Sequence, residues 1–322
     1  MEKLLIVAGP TATGKTGLAI SLAQRFNGEL INADSRQMYQ GFDIISGKDI
    51  PRGSKSEYKQ LANIRGLEIP LVTYRIGDIP IWLYDVVPPE DEVSIALFRD
   101  LARTCMLEIS GRGKLPIIVG GTGYYLSSIQ HPIDSIDIPR DQHLRNSLVD
   151  VPLEYLQKKL GYLDEMRWNG MNQSDRANPR RLMRAIEIAE WKKTHRVTVG
   201  DSTDLDILML GLMTDDPGYE ERIHERVLDR MKQGALEEAR NMNKLKLSPN
   251  IQTIIGYPVL KKYLDGSISY DEAIREWTKK EVQYAKRQVT WFRKQRNILW
   301  YPAHDSASLP DIEKAVSAWY TT

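Results

Sequence analysis

The sequence predicts an α/β protein: a parallel sheet flanked by helices, with a helical domain inserted into it. Three observations point there. An apolar run, a glycine-rich turn, a helical stretch and a second apolar run follow one another within the first 33 residues. The same order returns around Pro116–Val119. Between 131 and 199 the short apolar runs give way to arginine-rich helical spacing.

Residues 3–8, with the run Leu4-Leu5-Ile6-Val7-Ala8, read as a buried strand leading into the turn Gly9-Pro10-Thr11-Ala12-Thr13-Gly14. From Lys15 onward Leu18, Ala19, Leu22, Ala23 and Phe26 recur at helical spacing. Gly28 is expected to close that helix, and Glu29–Ala33 forms the second strand. Strand, helix and strand in so short a span make a βαβ unit, which requires parallel strands. Residues 50–92 hold several prolines and little periodicity, so irregular structure is expected. The amphipathic stretch 94–111 precedes the strand Pro116–Val119 and the turn Gly120-Gly121-Thr122-Gly123. After the insertion come a buried strand at Ile207–Leu212, long helices near 219–243 and 270–296, and a last strand at Ile298–Tyr301. Ser269 and Glu272 have capping-box spacing. The core is therefore expected at 1–130 and 200–322, and the insertion at 131–199.

Composition narrows the function classes. The chain has 322 residues, 42% hydrophobic and 27% charged, as in ordinary globular proteins. No run of about 18 apolar residues exists, so no membrane span is expected. The opening Met1–Ala8 is too short for a signal-peptide core. The lone Cys105 excludes an intramolecular disulfide and a cysteine-rich zinc site. A cytoplasmic monomer is expected. Net charge is only +1, so nucleic-acid binding requires a locally basic face rather than a basic whole.

Gly9-Pro10-Thr11-Ala12-Thr13-Gly14-Lys15-Thr16 matches G-x-x-x-x-G-K-[ST] at every fixed position. Glycines let the backbone turn successive N–H groups inward, and the helix N-terminus adds positive charge. Lys15 supplies a full charge, and the Thr16 hydroxyl can ligate Mg²⁺ between phosphate oxygens. The pattern arises by chance in roughly one chain in a hundred. A strand before it and a helix after it make that rarer, so a P-loop NTPase-like fold binding a phosphate is expected. The loop does not say what is transferred. Alone it suits a small-molecule kinase or an NTPase.

Asp34 follows the second strand, on the rim where ligands meet a parallel sheet and where Thr11 also lies. It either faces the ligand or caps a turn. Arg222, Arg226 and Arg230 fall on one helix face, and either meet an anion or pair with Glu221, Glu225 and Asp229.

Beyond the phosphate loop, five further segments resemble one family in order. Asp34-Ser35-Arg36-Gln37-Met38-Tyr39-Gln40-Gly41-Phe42-Asp43-Ile44 is followed by Leu115–Tyr125, with its Gly120-Gly121-Thr122-Gly123, and by Asn178-Pro179-Arg180-Arg181-Leu182-Met183-Arg184-Ala185-Ile186-Glu187. Then come Ile255-Gly256-Tyr257 and Ala285-Lys286-Arg287-Gln288-Val289-Thr290-Trp291-Phe292-Arg293. Together they resemble the tRNA dimethylallyltransferases, also called tRNA isopentenyltransferases, over nearly the whole chain. The resemblance implies transfer of the dimethylallyl group of dimethylallyl diphosphate to the exocyclic amine of the adenosine 3′ of the anticodon, giving N6-dimethylallyladenosine. It implies that Thr11 and Arg226 meet the leaving diphosphate and that Lys15, Thr16 and Mg²⁺ hold it. It makes Asp34 the general base. It assigns tRNA anticodon stem-loop contacts to Asp34, Ser35, Arg36, Gln37, Thr122, Arg145, Arg180, Arg181, Arg184, Lys286, Arg287, Gln288, Trp291 and Arg293.

Two regions carry the basic character that RNA binding needs. One is Lys279–Arg296, with interleaved aromatics that can stack on bases or fill a core. The other is the insertion, through Arg176, Arg180, Arg181, Arg184, Lys192, Lys193 and Arg196. An adenosine stacked in a loop must be extruded to reach a recessed diphosphate. The chain departs from the family at Ser46-Gly47-Lys48-Asp49, where a glycine-threonine-alanine-lysine run is usual, and at Ile81–Asp85, where a paired histidine is. These departures bear on the prenyl pocket and donor preference. Rival readings are an adenylate isopentenyltransferase, a P-loop kinase and a non-catalytic RNA-binding module. The basic segments favour RNA over a free nucleotide. The Gly-Gly-Thr after Val119, where a kinase places its metal-binding aspartate, argues against the second, although Asp85 and Asp215 stand as possible substitutes. Intact Lys15, Thr16 and Asp34 argue against the third.

Overall fold

The computed structural model describes residues 2–51, 53–131, 133–196 and 204–321. They form two compact units, Met1–Gln130 with Thr203–Thr322, and His131–Ser202. Residue 132 and residues 197–199 of the expected insertion lie outside the described residues.

In the first unit β1 (Glu2–Ala8) is fully buried from Leu4 to Ala8, which explains why its sequence is continuously apolar rather than alternating. α1 (Lys15–Arg25) buries Ala19, Leu22 and Ala23. β2 (Gly28–Asn32) begins at Gly28 itself, so that glycine does not close the helix; Asn27, at φ 51°, makes the turn. The expected irregular stretch instead holds three strands, β3 (Glu57–Ile64), β4 (Leu67–Ile76) and β5 (Ile79–Trp82). Two tight turns make this meander: Arg65-Gly66 at φ 55° and 79°, and Gly77-Asp78 with Gly77 at φ 60°. Pro70 is tolerated because β5 pairs with β4 only from Thr73 onward, leaving Pro70 a neighbour on one side.

α2 (Ile95–Gly111) starts on Ser94, whose hydroxyl accepts from Leu97 N–H at 3.0 Å. It buries Cys105 completely, and burial pushes that thiol well above its usual range. β6 (Leu115–Gly120) and α3 (Gly123–Gln130) follow.

The second unit contains α4 (Gln142–Leu148), α5 (Leu153–Leu163), α6 (Glu165–Gly170), α7 (Gln173–Arg176) and α8 (Pro179–Thr194). Its own small core joins Leu148, Leu156, Leu160, Leu182, Ala185 and Ile186. Asn178 caps α8 by accepting from the N–H groups of Arg180 and Arg181 at 3.0 and 3.3 Å.

Back in the first unit, β7 (Leu205–Met213) precedes α9 (Tyr219–Gln233) and α10 (Ala235–Met242). A single helix was expected there; Gly234, at φ 102°, breaks it into two. α11 (Tyr257–Leu264) leads to α12 (Tyr270–Phe292), which opens with the Ser269–Glu272 capping box. β8 (Leu299–Pro302) and α13 (Leu309–Tyr320) end the chain. The sheet runs β3-β4-β5-β2-β6-β1-β7-β8. It is parallel from β5 to β8 and antiparallel across β3, β4 and β5, so it is mixed rather than purely parallel. Pairings Ala8↔Gly120 and Asn32↔Val119 bring the C-terminal ends of β1, β2 and β6 level. No helix among the described residues is long and apolar enough to cross a membrane.

Candidate active site

That level rim carries the glycine-rich loop, Asp34 and Gly120–Thr122. In the loop, Gly9 at φ 145° passes so close to β7 that a Cβ there would stand 2.4 Å from the Leu212 carbonyl oxygen. Gly14 is the N-cap of α1 at φ 79° and brings no side-chain acceptor, so the first helical N–H groups stay available to a ligand. Side chains from distant elements brace the loop. Thr11 N–H donates to Gln288 Oε1 at 3.0 Å, while Gln288 Nε2 donates to the Gly121 carbonyl at 2.9 Å. The Tyr219 hydroxyl donates to the Thr11 carbonyl at 2.6 Å. His304 Nε2 stands 2.9 Å from the Ala12 carbonyl. Thr13 Oγ1 and Lys15 Nζ both donate to the Pro10 carbonyl, at 2.9 and 2.5 Å. The cradle is preorganised.

A cavity of about 310 Å³ opens over the loop and is also lined by Asp34, Asp49, Arg226, Arg230, Tyr284 and Gln288. It adjoins a second of about 550 Å³ that shares Gly47, Asp49, Arg226 and Arg230. Asp34 is half-buried; its Oδ1 accepts from Arg36 N–H at 3.0 Å, and its own N–H donates to Asn32 Oδ1 at 2.9 Å. Asp34 thus caps the turn after β2 and at the same time lines the cavity. Burial, aided by the charge of Asp34, raises the pKa values of Tyr125 and Tyr284. Tyr84 is raised by burial and by Asp49. These phenols stay neutral and can only donate or accept hydrogen bonds.

The cations are differentiated. Burial and the neighbouring Arg226 bring Lys15 down to about 8. Burial and Arg230 lower Arg226 likewise. Of the three arginines at spacing four, Arg222 pairs with Asp216, and Arg230 Nη1 donates to Glu281 Oε1 at 3.0 Å. Arg226 has no hydrogen-bonded partner among the described residues. None of the three pairs with Glu221, Glu225 or Asp229.

The residues expected at RNA divide between surface and scaffold. Lys286, Arg287 and Arg293 on and after α12 are exposed, with Lys286 Nζ 2.8 Å from Glu220. Arg36 lies 4.1 Å from the Tyr284 ring centroid and Arg287 5.7 Å from it. Trp291 is half-buried against Gly123. Gln37 donates to the Gly47 carbonyl at 2.9 Å, and Gln288 is spent on the loop as described. Ser35 and Thr122 are half-buried near the rim. In the second unit Arg180 and Arg181 are exposed on the first turn of α8. Arg145 and Arg184 both bind buried Glu187, at 2.9 and 2.5 Å. Sequence patterning alone does not single out Tyr219, Tyr284, Gln288 as a brace, or Asp49, because each acts through a partner far away in the chain.

A protein-family model described as IPP transferase matches residues 73–295. The chain belongs to that family. A Treponema denticola tRNA dimethylallyltransferase 2 is 37% identical over 90% of this chain and 91% of its own. A tRNA dimethylallyltransferase of Anoxybacillus flavithermus is 34% identical over 94% of this chain and 91% of its own. Among solved structures, the tRNA isopentenylpyrophosphate transferase of Bacillus halodurans superposes with a TM-score of 0.68 at 30% identity, covering 99% of this chain and 97% of that one. The family relationship extends over the sheet, the loop and the insertion alike.

Proposed function

We propose that this chain transfers the dimethylallyl group of dimethylallyl diphosphate to the exocyclic N6 of the adenosine 3′ of the anticodon in tRNA. The observation that carries this reading is one cavity faced by an anion cradle, an unpartnered arginine and a rim carboxylate. The N6 lone pair forms a bond to C1 of the prenyl group while the C1–O bond breaks and its electrons pass to the diphosphate. The N6 proton goes to Asp34. Arg226 meets the charge growing on the bridging oxygen, where a fixed donor in a recessed site acts most strongly. Thr11 contributes through its hydroxyl, since its N–H is already given to Gln288. Lys15 and the α1 N-terminus hold the outer phosphate.

Thr16 suits a small hard cation. Its Oγ1 donates to Asp49 Oδ2 at 2.6 Å, a pair of oxygen donors, and the described residues hold no cluster of three His, Cys, Asp or Glu that could take a softer metal. When bound, Mg²⁺ supplies neutralising charge on the diphosphate.

For the RNA we infer that Lys286, Arg287 and Arg293 take backbone phosphates and that Arg180 and Arg181 do so from the insertion. Arg36 and Arg287 both stand over the Tyr284 ring, a cation–π group suited to an extruded base. Gln37, Gln288, Arg145 and Arg184 serve these contacts by positioning, given their internal bonds.

The direct test incubates the chain with unmodified tRNA, dimethylallyl diphosphate and Mg²⁺, then analyses digested nucleosides by mass spectrometry. N6-dimethylallyladenosine is expected. Prenylation of free AMP but not tRNA, or ADP formation from ATP without an alkylated base, would favour the rival readings instead. Two quantitative outcomes should accompany it. Replacing Lys286 and Arg287 with alanine removes two phosphate contacts and should lower the log–log salt slope of tRNA binding by about 1.5. An unchanged slope would show that α12 does not face the RNA backbone. Lys15, at about 8, is an ammonium below that pH and neutral above it, whereas an ordinary lysine holds its proton to about 10. Affinity for inorganic pyrophosphate should therefore weaken about tenfold per pH unit above about 8 in the wild type relative to Lys15→Met. Parallel curves for the two proteins would remove Lys15 from the phosphate.

A further inference from the structure

We infer that Asp49 is a carboxylate ligand of the cation that accompanies the diphosphate, so that this chain grips the metal by two oxygens, the Thr16 hydroxyl and the Asp49 carboxylate. This rests on the diphosphate reading above. Asp49 Oδ2 accepts the Thr16 hydroxyl at 2.6 Å, within the cavity that the loop lines. Its backbone is fixed from below. Lys48 is buried, and its Nζ binds the Tyr39 carbonyl at 2.9 Å, Asp43 at 2.6 Å and also Asp85. Gln37 holds the preceding Gly47 carbonyl at 2.9 Å. The two segments that depart from the family pattern, 46–49 and 81–85, therefore meet through Lys48 and Asp85 and deliver Asp49 to the loop.

Charge decides what that carboxylate does. In the empty cradle Asp49 helps keep Lys15 and Arg226 charged, but a diphosphate arriving there meets like charge. A divalent ion between them reverses the sign of the interaction. Mg²⁺ is typically held by one or two carboxylates together with substrate phosphates and water, the donor set that Thr16, Asp49 and a diphosphate provide. Asp85 is occupied by Lys48, which leaves Asp49 as the acid presented to the loop threonine.

The test measures retention of labelled inorganic pyrophosphate by the full chain in equilibrium dialysis, with Mg²⁺ and with EDTA. In the wild type Mg²⁺ should tighten binding. Asp49→Asn should lose at least about tenfold of that enhancement, while its affinity in EDTA stays equal or improves as the repulsion disappears. A full Mg²⁺ enhancement in Asp49→Asn overturns the assignment and leaves the diphosphate reading standing. Wild-type protein that binds no pyrophosphate under either condition overturns both. Crystals of the wild type with Mn²⁺ and pyrophosphate give a check independent of any variant. An anomalous peak about 2.1 Å from both Thr16 Oγ1 and an Asp49 oxygen is expected; a peak on phosphate oxygens alone, with Asp49 turned away, refutes the claim.

Discussion

Asp34→Asn should lower the single-turnover rate of prenyl transfer about 10³-fold, within the 10²–10⁴ range expected for losing a positioned general base. The exocyclic amine of adenine has its lone pair drawn into the ring, so bond formation at N6 needs the proton removed as the bond closes. In the proposed reaction the Asp34 carboxylate does that, and an asparagine amide cannot. Asparagine keeps an oxygen at the place where Oδ1 accepts the Arg36 N–H at 3.0 Å. The turn after β2 should therefore persist, and thermal stability with it. Pyrophosphate affinity should also stay near wild type, because the loop, Lys15 and Arg226 are untouched. The loss should fall in the rate rather than in KM, the pattern of an interaction made only in the transition state. Asp34→Ala should show the same loss plus about 1 kcal/mol of instability from the vacated hydrogen bond. A rate within tenfold of wild type for Asp34→Asn would reassign the base.

How much of this was legible beforehand depends on where the deciding contacts lie in the chain. The glycine loop is local: its glycines, lysine and threonine are adjacent, and the strand before it is apolar throughout because both its faces are buried. The capping box of α12 is equally local. By contrast, the β3–β5 meander hides behind alternation broken by Pro70 and Pro80, although Arg65-Gly66 and Gly77-Asp78 are recognisable two-residue turns. Gly234 was readable as a helix terminator, but the amphipathic pattern runs on through it from α9 into α10. The braces of the loop lay beyond sequence reasoning. Gln288 meets Thr11 across 277 residues, and its polar position within a basic segment suggests RNA until the fold turns it inward. Arg145 and Arg184 teach the same lesson. Each reads as a free cation until buried Glu187 collects them both. Composition reveals charge; only the fold reveals which charges are already spent.

Arg226 lines the cavity with no hydrogen-bonded partner among the described residues, and its replacement should separate activity from stability. Arg226→Met should reduce the transfer rate about 10²–10³-fold, the range for removing one preorganised donor at a developing negative charge. Arg226→Lys should recover part of this, since it restores the charge but not the planar pair of donors that fits phosphate oxygens. Arg230 cannot substitute, because Glu281 holds it at 3.0 Å and Trp277 Nε1 donates to that same carboxylate at 3.2 Å. In the unliganded protein the Arg226 guanidinium is disfavoured, its pKa lowered first by burial and then by Arg230. A folded-state pKa below the unfolded value means that the charged form opposes folding at neutral pH. Removing it should therefore leave Tm equal to or above that of the wild type while activity falls. The same methionine should weaken pyrophosphate binding less than it slows transfer, because the largest charge on the bridging oxygen exists only as the C1–O bond breaks. A variant that loses Tm and activity together, or that turns over within threefold of wild type, would place Arg226 in the scaffold and leave the leaving group without its donor.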